Sequence, residues 1–295
     1  MSLSTVSFDE KKENYGRFFD PESYLKFYFC QPTTDSNQDV FPSWSLSDRE
    51  LNNEIVRAIR FKVRTMKFCI ENALRPKKKP VKVLDLSTGP FCGNVMFASG
   101  FDQVTEIVCS DFLEENRKYI IRIIEVPNSC DLSEAFTWTK FTKWAYGNAD
   151  LVNLFRKKCR EIKFVDMSKA SATGMSEIES SAPYDLINSE WAFCEGSRDL
   201  ENYKVLIQKC NKMLQKGGSL VLLDLLEQTF WVPDASRLDN RMPTVCVSQD
   251  WLKKTLIQNG FAVEHIILHF YEQKHSPMFN AKGNILVWAS KTHEV

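Results

Sequence analysis

Residues 81–111 read VKVLDLSTGPFCGNVMFASGFDQVTEIVCSD, and this stretch decides the fold. Val81, Val83, Leu84 and Leu86 form a short apolar run that suits a buried strand. The run carries one acid, Asp85, and breaks at Ser87-Thr88-Gly89-Pro90, a tight turn of small residues. A short helix follows, then a second apolar strand, Glu106 to Cys109, that closes at Asp111. A β-turn-α-β unit with small residues at the first strand's tip and a carboxylate at the second's binds a nucleoside, the carboxylate taking the ribose hydroxyls. The second glycine of a dinucleotide fingerprint is absent, and Pro90 stands where a pyrophosphate needs close backbone approach. The pattern predicts a nucleoside without a pyrophosphate, for which S-adenosylmethionine (SAM) is the natural candidate.

On the N-terminal side, seven aromatics crowd residues 15–29, Tyr15, Tyr24 and Tyr28 among them. Asp20 suits the cap of a helix opening at Pro21, which sets Tyr24 and Tyr28 four apart on one face. Such a face either packs on the core or forms a lid over a cofactor or aromatic substrate. Residues 31–49 read as a polar loop. A helix is expected from Ser47 or Asp48 to about Leu74, with Leu51, Ile55, Ala58, Ile59, Lys62, Val63, Met66 and Ile70 at a 3.6-residue period. The lysines of RPKKKP, residues 75–80, have no second basic cluster near them in sequence and read as a solvated linker.

On the C-terminal side, a helix is expected over Phe112–Ile124, a loop or broken helix over 127–148, and helical spacing over 149–159. A short strand, Ile162–Val165, ends at Asp166-Met167. A polar loop leads to a strand over 183–189, closed by Ser189. An amphipathic helix, Asp199–Leu214, stops at Lys216-Gly-Gly218. Ser219–Leu223 is a buried strand ending in Asp224, followed by a loop or partial hairpin over 226–246. Ser248 caps a helix that Gly260 ends, and Phe261–Phe270 and Gly283–Ala289 read as an antiparallel pair. The expected fold class is α/β: a Rossmann-like single domain over 1–295 with a seven-stranded, mostly parallel sheet and an antiparallel C-terminal strand. Helices cover both faces, 1–50 form an N-terminal helical lid, and 226–246 form a substrate-side insertion.

Lys and Arg number 38, as do Asp and Glu, so the formal net charge is zero. Duplex-binding proteins carry a basic excess, and no nucleic-acid partner is expected. No run of 18 apolar residues is present, so no membrane span is expected, and the N-terminus lacks the apolar core of a secretory signal. The nine cysteines include no CxxC pair, which predicts reduced, cytoplasmic thiols and no metal site. His265 and His269 fall in a run that reads as strand.

Ligands of such sheets bind beyond the carboxyl ends of the strands, which here carry Asp85, Asp111, Asp166, Ser189 and Asp224. Carboxylates are costly to place near a core unless they are used. With these residues located, nearly the whole chain resembles the nicotinamide, phenylethanolamine, indolethylamine and thioether N- or S-methyltransferase family. The resemblance lies in SDFLEENRK at 110–118, FDPESYLKFYF at 19–29, LDLSTGP at 84–90, AFTWTKF at 135–141, KGGSLVLLD at 216–224 and AKGNILVWASK at 281–291. It implies SAM as cofactor, S-adenosylhomocysteine as product and a small amine or pyridine as acceptor, in a monomer. It implies that Tyr15 and Tyr24 reach or cover the SAM carboxylate and that Ser87, Gly89 and Pro90 form its turn. Asp111 holds the ribose hydroxyls, with Asn116 beside ribose or adenine. Asp166 and Met167 flank the adenine, and Ser189 lies near the methionine moiety. On the acceptor side it implies Phe230 and Trp231 over the substrate and Asp224 on its polar group.

Four positions depart from the family pattern. Ser87 replaces a glycine, which a negative φ would accommodate; Gly93 replaces a tyrosine that closes over SAM; Glu190-Trp191 replace small or aliphatic residues; Asn280 replaces an aspartate for the amine. Transfer from a sulfonium is an in-line displacement in which positioning does most of the work. An alkylammonium must first lose a proton, for which Asp224 and then Glu227 are the expected acids, with Tyr24, Tyr28, Phe230 and Trp231 sandwiching a flat acceptor. A thioether acceptor, a SAM-binding relative with little or no activity, and an NAD-dependent oxidoreductase are the rival readings.

Overall fold

The computed structural model describes residues 8–29, 54–78, 80–126, 130–131, 137–232, 241–271 and 279–293. Among these, strands β1 Val81–Asp85, β2 Val104–Asp111, β3 Cys159–Phe164, β4 Tyr184–Glu190, β5 Leu214–Leu226, β6 Phe230–Trp231, β7 Met242–Pro243, β8 Phe261–Phe270 and β9 Gly283–Lys291 run in chain order. Seven form one sheet in the order β3-β2-β1-β4-β5-β9-β8. The first five are mutually parallel, and β9 runs antiparallel between β5 and β8.

Helices α1 Phe8–Phe18, α2 Pro21–Phe29, α3 Glu54–Leu74, α4 Gly93–Ser99, α5 Glu114–Glu125, α6 Trp138–Tyr146, α7 Leu151–Lys158, α8 Ser176–Glu179, α9 Phe193–Gly196, α10 Leu200–Met213 and α11 Gln249–Gln258, with a 3-10 turn over Met167–Lys169, complete the described elements. The strands alternate between two cores. Val81, Val83, Ile107, Val221 and Leu223 pack with α3 to α7, and Leu84, Val108, Leu220 and Leu222 pack with α9 to α11. This is the period of two that a sheet covered on both faces requires. Burying each such side chain contributes ~1.5–3 kcal/mol.

On α3, Ile59, Val63, Met66 and Ile70 are buried at 3.6-residue spacing, and Ser23 N donates to Asp20 Oδ2 at the start of α2, 2.9 Å. The expected start of α3 lies outside the described residues, and so does the lid segment 30–50. One expectation is narrowed and two are corrected. Residues 138–146 form α6, because Thr137 caps it, Gly147 at φ 75° ends it, and Trp138 and Phe141 bury its apolar stripe. β3 starts at Cys159, three residues early; as an edge strand it buries one residue of six, so its pattern resembles a helix end. Lys216-Gly-Gly218 lies inside β5 rather than ending α10, with Gly217 at φ 72°. His265 lies on β8, packed against Trp288. No helix among the described residues is long and apolar enough to cross a membrane, and none of their acidic, His and Cys side chains cluster as metal ligands.

Candidate active site

Among the described residues, three that are not glycine hold a positive φ: Ser87 at 60°, Trp191 at 50° and Glu227 at 49°. They follow the carboxyl ends of β1, β4 and β5, so backbone strain concentrates where the sheet presents its ligand site. Ser87 therefore does not take the negative φ that would accommodate a serine there. The turn is pinned to the tip of β2: Thr88 N donates to Ser110 O at 2.7 Å, Ser87 N to Ser110 Oγ at 3.3 Å, and Gly89 N to Asp111 Oδ2 at 2.8 Å. Those bonds hold a left-handed serine that costs about 1–2 kcal/mol.

A cavity of about 200 Å³ opens over these tips. Ser87, Gly89, Pro90, Asp111, Asn116 and Met167 line one side of it. Asp111 Oδ1 accepts from Leu113 N at 2.7 Å and Asn116 Nδ2 at 3.0 Å. Burial raises its carboxyl above the ordinary range, and the three donors pull it back. Asn116 Oδ1 is buried without a hydrogen-bond partner, an acceptor left open in the cavity wall. Asp166 stands at the end of β3 but is covered: Lys12 of α1 pairs with its carboxylate and donates to Ser168 Oγ at 2.7 Å, its Nζ 4.1 Å from the Phe112 ring centroid. Burial pushes Asp166 up, but Lys12 and Ser168 outweigh it and hold the carboxyl below its usual value.

The roof is aromatic. Tyr24 meets Phe19 at 5.4 Å, Phe19 meets Tyr15 at 4.9 Å, and Tyr15 meets Trp231 at 5.3 Å. The ring chain runs from α1 and α2 to β6, and Tyr15, Tyr24 and Trp231 all line the cavity. Tyr28 lies on α2, but its side chain is outside the described residues.

The acceptor side differs from expectation. Asp224 is fully buried and does not line the cavity; Cys194 N at 3.0 Å and Tyr203 OH at 2.9 Å donate to its Oδ2, and Leu225 N at 3.0 Å to its Oδ1. Burial lifts it to about 6 against those donors. Glu227 pairs with Lys282. Asn280 Oδ1 accepts from Thr229 N at 2.9 Å and Phe230 N at 3.2 Å, so it clamps the β6 turn. Arg241 stacks on Phe230, 4.3 Å from the ring centroid. Ser189 Oγ donates to Leu86 O at 2.8 Å, tying β4 to β1. The acids that do line the cavity are Asp111, Glu190 and Glu195, and the last two were not expected there. Glu195 lies on α9, directly behind β4. Burial, then the charge of Asp224, raises its carboxyl well above the ordinary value. Its signal in the sequence is an acid set in an apolar run, Ala192-Phe-Cys-Glu195-Gly.

The sequence profile of the NNMT/PNMT/TEMT family matches residues 8–292. Phenylethanolamine N-methyltransferase of Rattus norvegicus is 22% identical over 284 residues, spanning 92% of this chain and 88% of that one. Nicotinamide N-methyltransferase of Sus scrofa is 20% identical over 276 residues, spanning 92% of each. Among solved structures, the cyclase SpnF superposes with a TM-score of 0.51 at 10% identity, covering 84% of this chain and 85% of that one, a likeness of fold.

Proposed function

The chain belongs to the NNMT/PNMT/TEMT family and is a SAM-dependent N-methyltransferase, and from that premise we propose that its acceptor is a small aromatic amine or a pyridine. The residues present fit the cofactor: a carboxylate, Asp111, beside the open acceptor Asn116 Oδ1, under a turn that brings Gly89 N within 2.8 Å of Asp111. SAM supplies a methyl group already activated on a sulfonium.

Every other task falls to the chain. Asp111 takes the ribose hydroxyls, Asn116 Oδ1 accepts from the nucleoside, and Met167 packs against the base. The Tyr24–Phe19–Tyr15–Trp231 ring chain excludes water and holds a flat acceptor. Glu195 faces the acceptor nitrogen. Its raised pKa narrows the gap to an alkylammonium, so a proton moves from the nitrogen to the carboxylate at lower cost. Asp224 acts behind it: by accepting from Cys194 N it fixes α9, and its charge lifts Glu195. A monomer in a reducing cytoplasm is part of the same reading, consistent with eight free thiols among the described cysteines.

The observation that carries the proposal is the Glu195 carboxyl lining an aromatic-walled cavity. A labelled-methyl screen over nicotinamide, quinoline, tryptamine, phenylethanolamine and a simple thioether tests it. Transfer to an amine or pyridine nitrogen is expected. Transfer to the thioether alone, or to none of them with SAM bound, overturns it.

A further inference from the structure

Lys62 stands on the apolar stripe of α3, and its side chain is 6% exposed. Its Nζ lies 2.6 Å from Glu190 Oε2 at the tip of β4, 4.1 Å from the Phe91 ring centroid and 4.3 Å from that of Trp191. All four residues line the cavity. Glu190 Oε1 accepts from Asn94, whose Oδ1 in turn accepts from Tyr146 OH at 2.7 Å. Behind it, Asn188 bridges to Asp85, whose carboxyl is raised to about 7 by burial and then by the charge of Glu190. Lys62 thus pairs with one carboxyl, and a second, Asp85, stands behind it through Asn188.

A buried ion pair is a weak source of stability, because desolvating both charges offsets their attraction. One that lines a cavity invites a ligand instead. The sheet order says which part of the ligand reaches it. Adenine belongs over β3, at Met167, and ribose over β2, at Asp111. The next tips in line are β1 and β4: Phe91 follows the turn after β1, Glu190 ends β4, and Lys62 reaches them from α3. The amino-acid end of the cofactor falls there, and it carries one carboxylate and one ammonium.

Gly93 sharpens the point. Where the family resemblance places a tyrosine, a Cβ would lie 2.6 Å from a Phe91 ring carbon and 2.7 Å from a Phe141 one. The space for that ring is filled, and the Lys62 ammonium rests on the same Phe91 ring.

We propose that Lys62 and Glu190 form the receptor for the zwitterionic end of the cofactor, Lys62 for its α-carboxylate and Glu190 for its α-ammonium. In this protein a charged pair replaces the neutral hydroxyl lost at position 93. The empty site keeps both charges matched to each other, and the ligand's opposite pair inserts into an alternating array, each charge gaining a second partner. The proposal rests on the cofactor assignment, and the test separates the two.

Calorimetric titration uses three ligands: S-adenosylhomocysteine, its decarboxylated analogue, and 5′-methylthioadenosine, which lacks the amino-acid end. Wild-type protein is expected to prefer S-adenosylhomocysteine over the decarboxylated analogue by about thirtyfold or more, the scale of losing one partner of a buried charge pair. Lys62→Met is expected to erase that preference while keeping methylthioadenosine affinity within about twofold. The double variant Lys62→Met/Glu190→Met leaves no unpaired charge and guards against misfolding of the single one; it is expected to bind all three ligands alike. An undiminished preference in either variant, or no preference in the wild type, overturns the proposal. Binding of none of the ligands by the wild type overturns the cofactor assignment itself.

Discussion

At the tip of β2, Asp111 accepts from two backbone N–H groups and one amide and still lines the cavity. At the tip of β5, Asp224 accepts from two backbone N–H groups and a phenol and is sealed behind the wall. Both are acids at the end of an apolar parallel strand, and a strand pattern does not distinguish them. The difference lies in the elements packed around each tip. After β2 the chain turns directly into α5 and leaves the carboxylate at the cavity wall. Near β5, α9 and α10 supply Cys194 N and Tyr203 OH, which consume the carboxylate's outward oxygen. Each carboxylate has three donors, so what separates them is cover: a strand-end acid serves a ligand where its neighbours leave it on the cavity wall, and the scaffold where they close over it.

Four perturbations sharpen or break that contrast. The largest effect is expected from Glu195→Gln. Assayed with an alkylamine acceptor from the methyl-transfer screen, kcat should fall by about 100-fold or more while S-adenosylhomocysteine affinity stays unchanged; unchanged turnover would remove Glu195 from the acceptor side. Next, Asp224→Asn sets an amide against one of three donors and should lower unfolding stability by ~1–3 kcal/mol, read in urea. A stable variant that loses only turnover would return Asp224 to direct contact with substrate.

A smaller effect is expected from pH. Burial, then the Glu190 charge, raises Asp85 in the folded protein, so the folded state holds a proton that the unfolded state has released. Wild-type stability is therefore lost as pH rises from about 4, the ordinary aspartate value, through about 7. The Asp85→Asn variant cannot lose stability this way, and its urea midpoint should gain on the wild type between pH 5 and pH 8. A parallel pair of curves would contradict the shift. The smallest effect is expected from Ser87→Gly, which relieves a left-handed residue and should stabilise by ~1 kcal/mol. A destabilised glycine variant would mean that the serine hydroxyl holds the turn.

Much of this was legible in the chain. The β1-turn-β2 unit announces itself because alternating apolar residues end in small residues and then an acid, and Asp111, Asn116 and Gly89 fall together as that pattern requires. The antiparallel β8–β9 pair is legible because no helical period separates the two runs. α6 is not, since its register depends on one cap, Thr137, inside an aromatic-rich stretch. Glu195 is hidden for a related reason: it projects from a four-residue helix rather than from a strand tip, and a helix that short has no period to read. Lys62 had a signal, a charge on the buried stripe of α3, but only the fold shows that Glu190, 128 residues later, meets it.

The central claim is that the tips of β1 and β2 hold a nucleoside cofactor through Asp111. Titration of the folded wild type and of Asp111→Ala with S-adenosylhomocysteine tests it most directly. The wild type should bind, and the variant should lose about 100-fold in affinity, the scale of two charge-assisted hydrogen bonds to ribose hydroxyls. Equal affinity in the two proteins, or no binding by folded wild type, would contradict it.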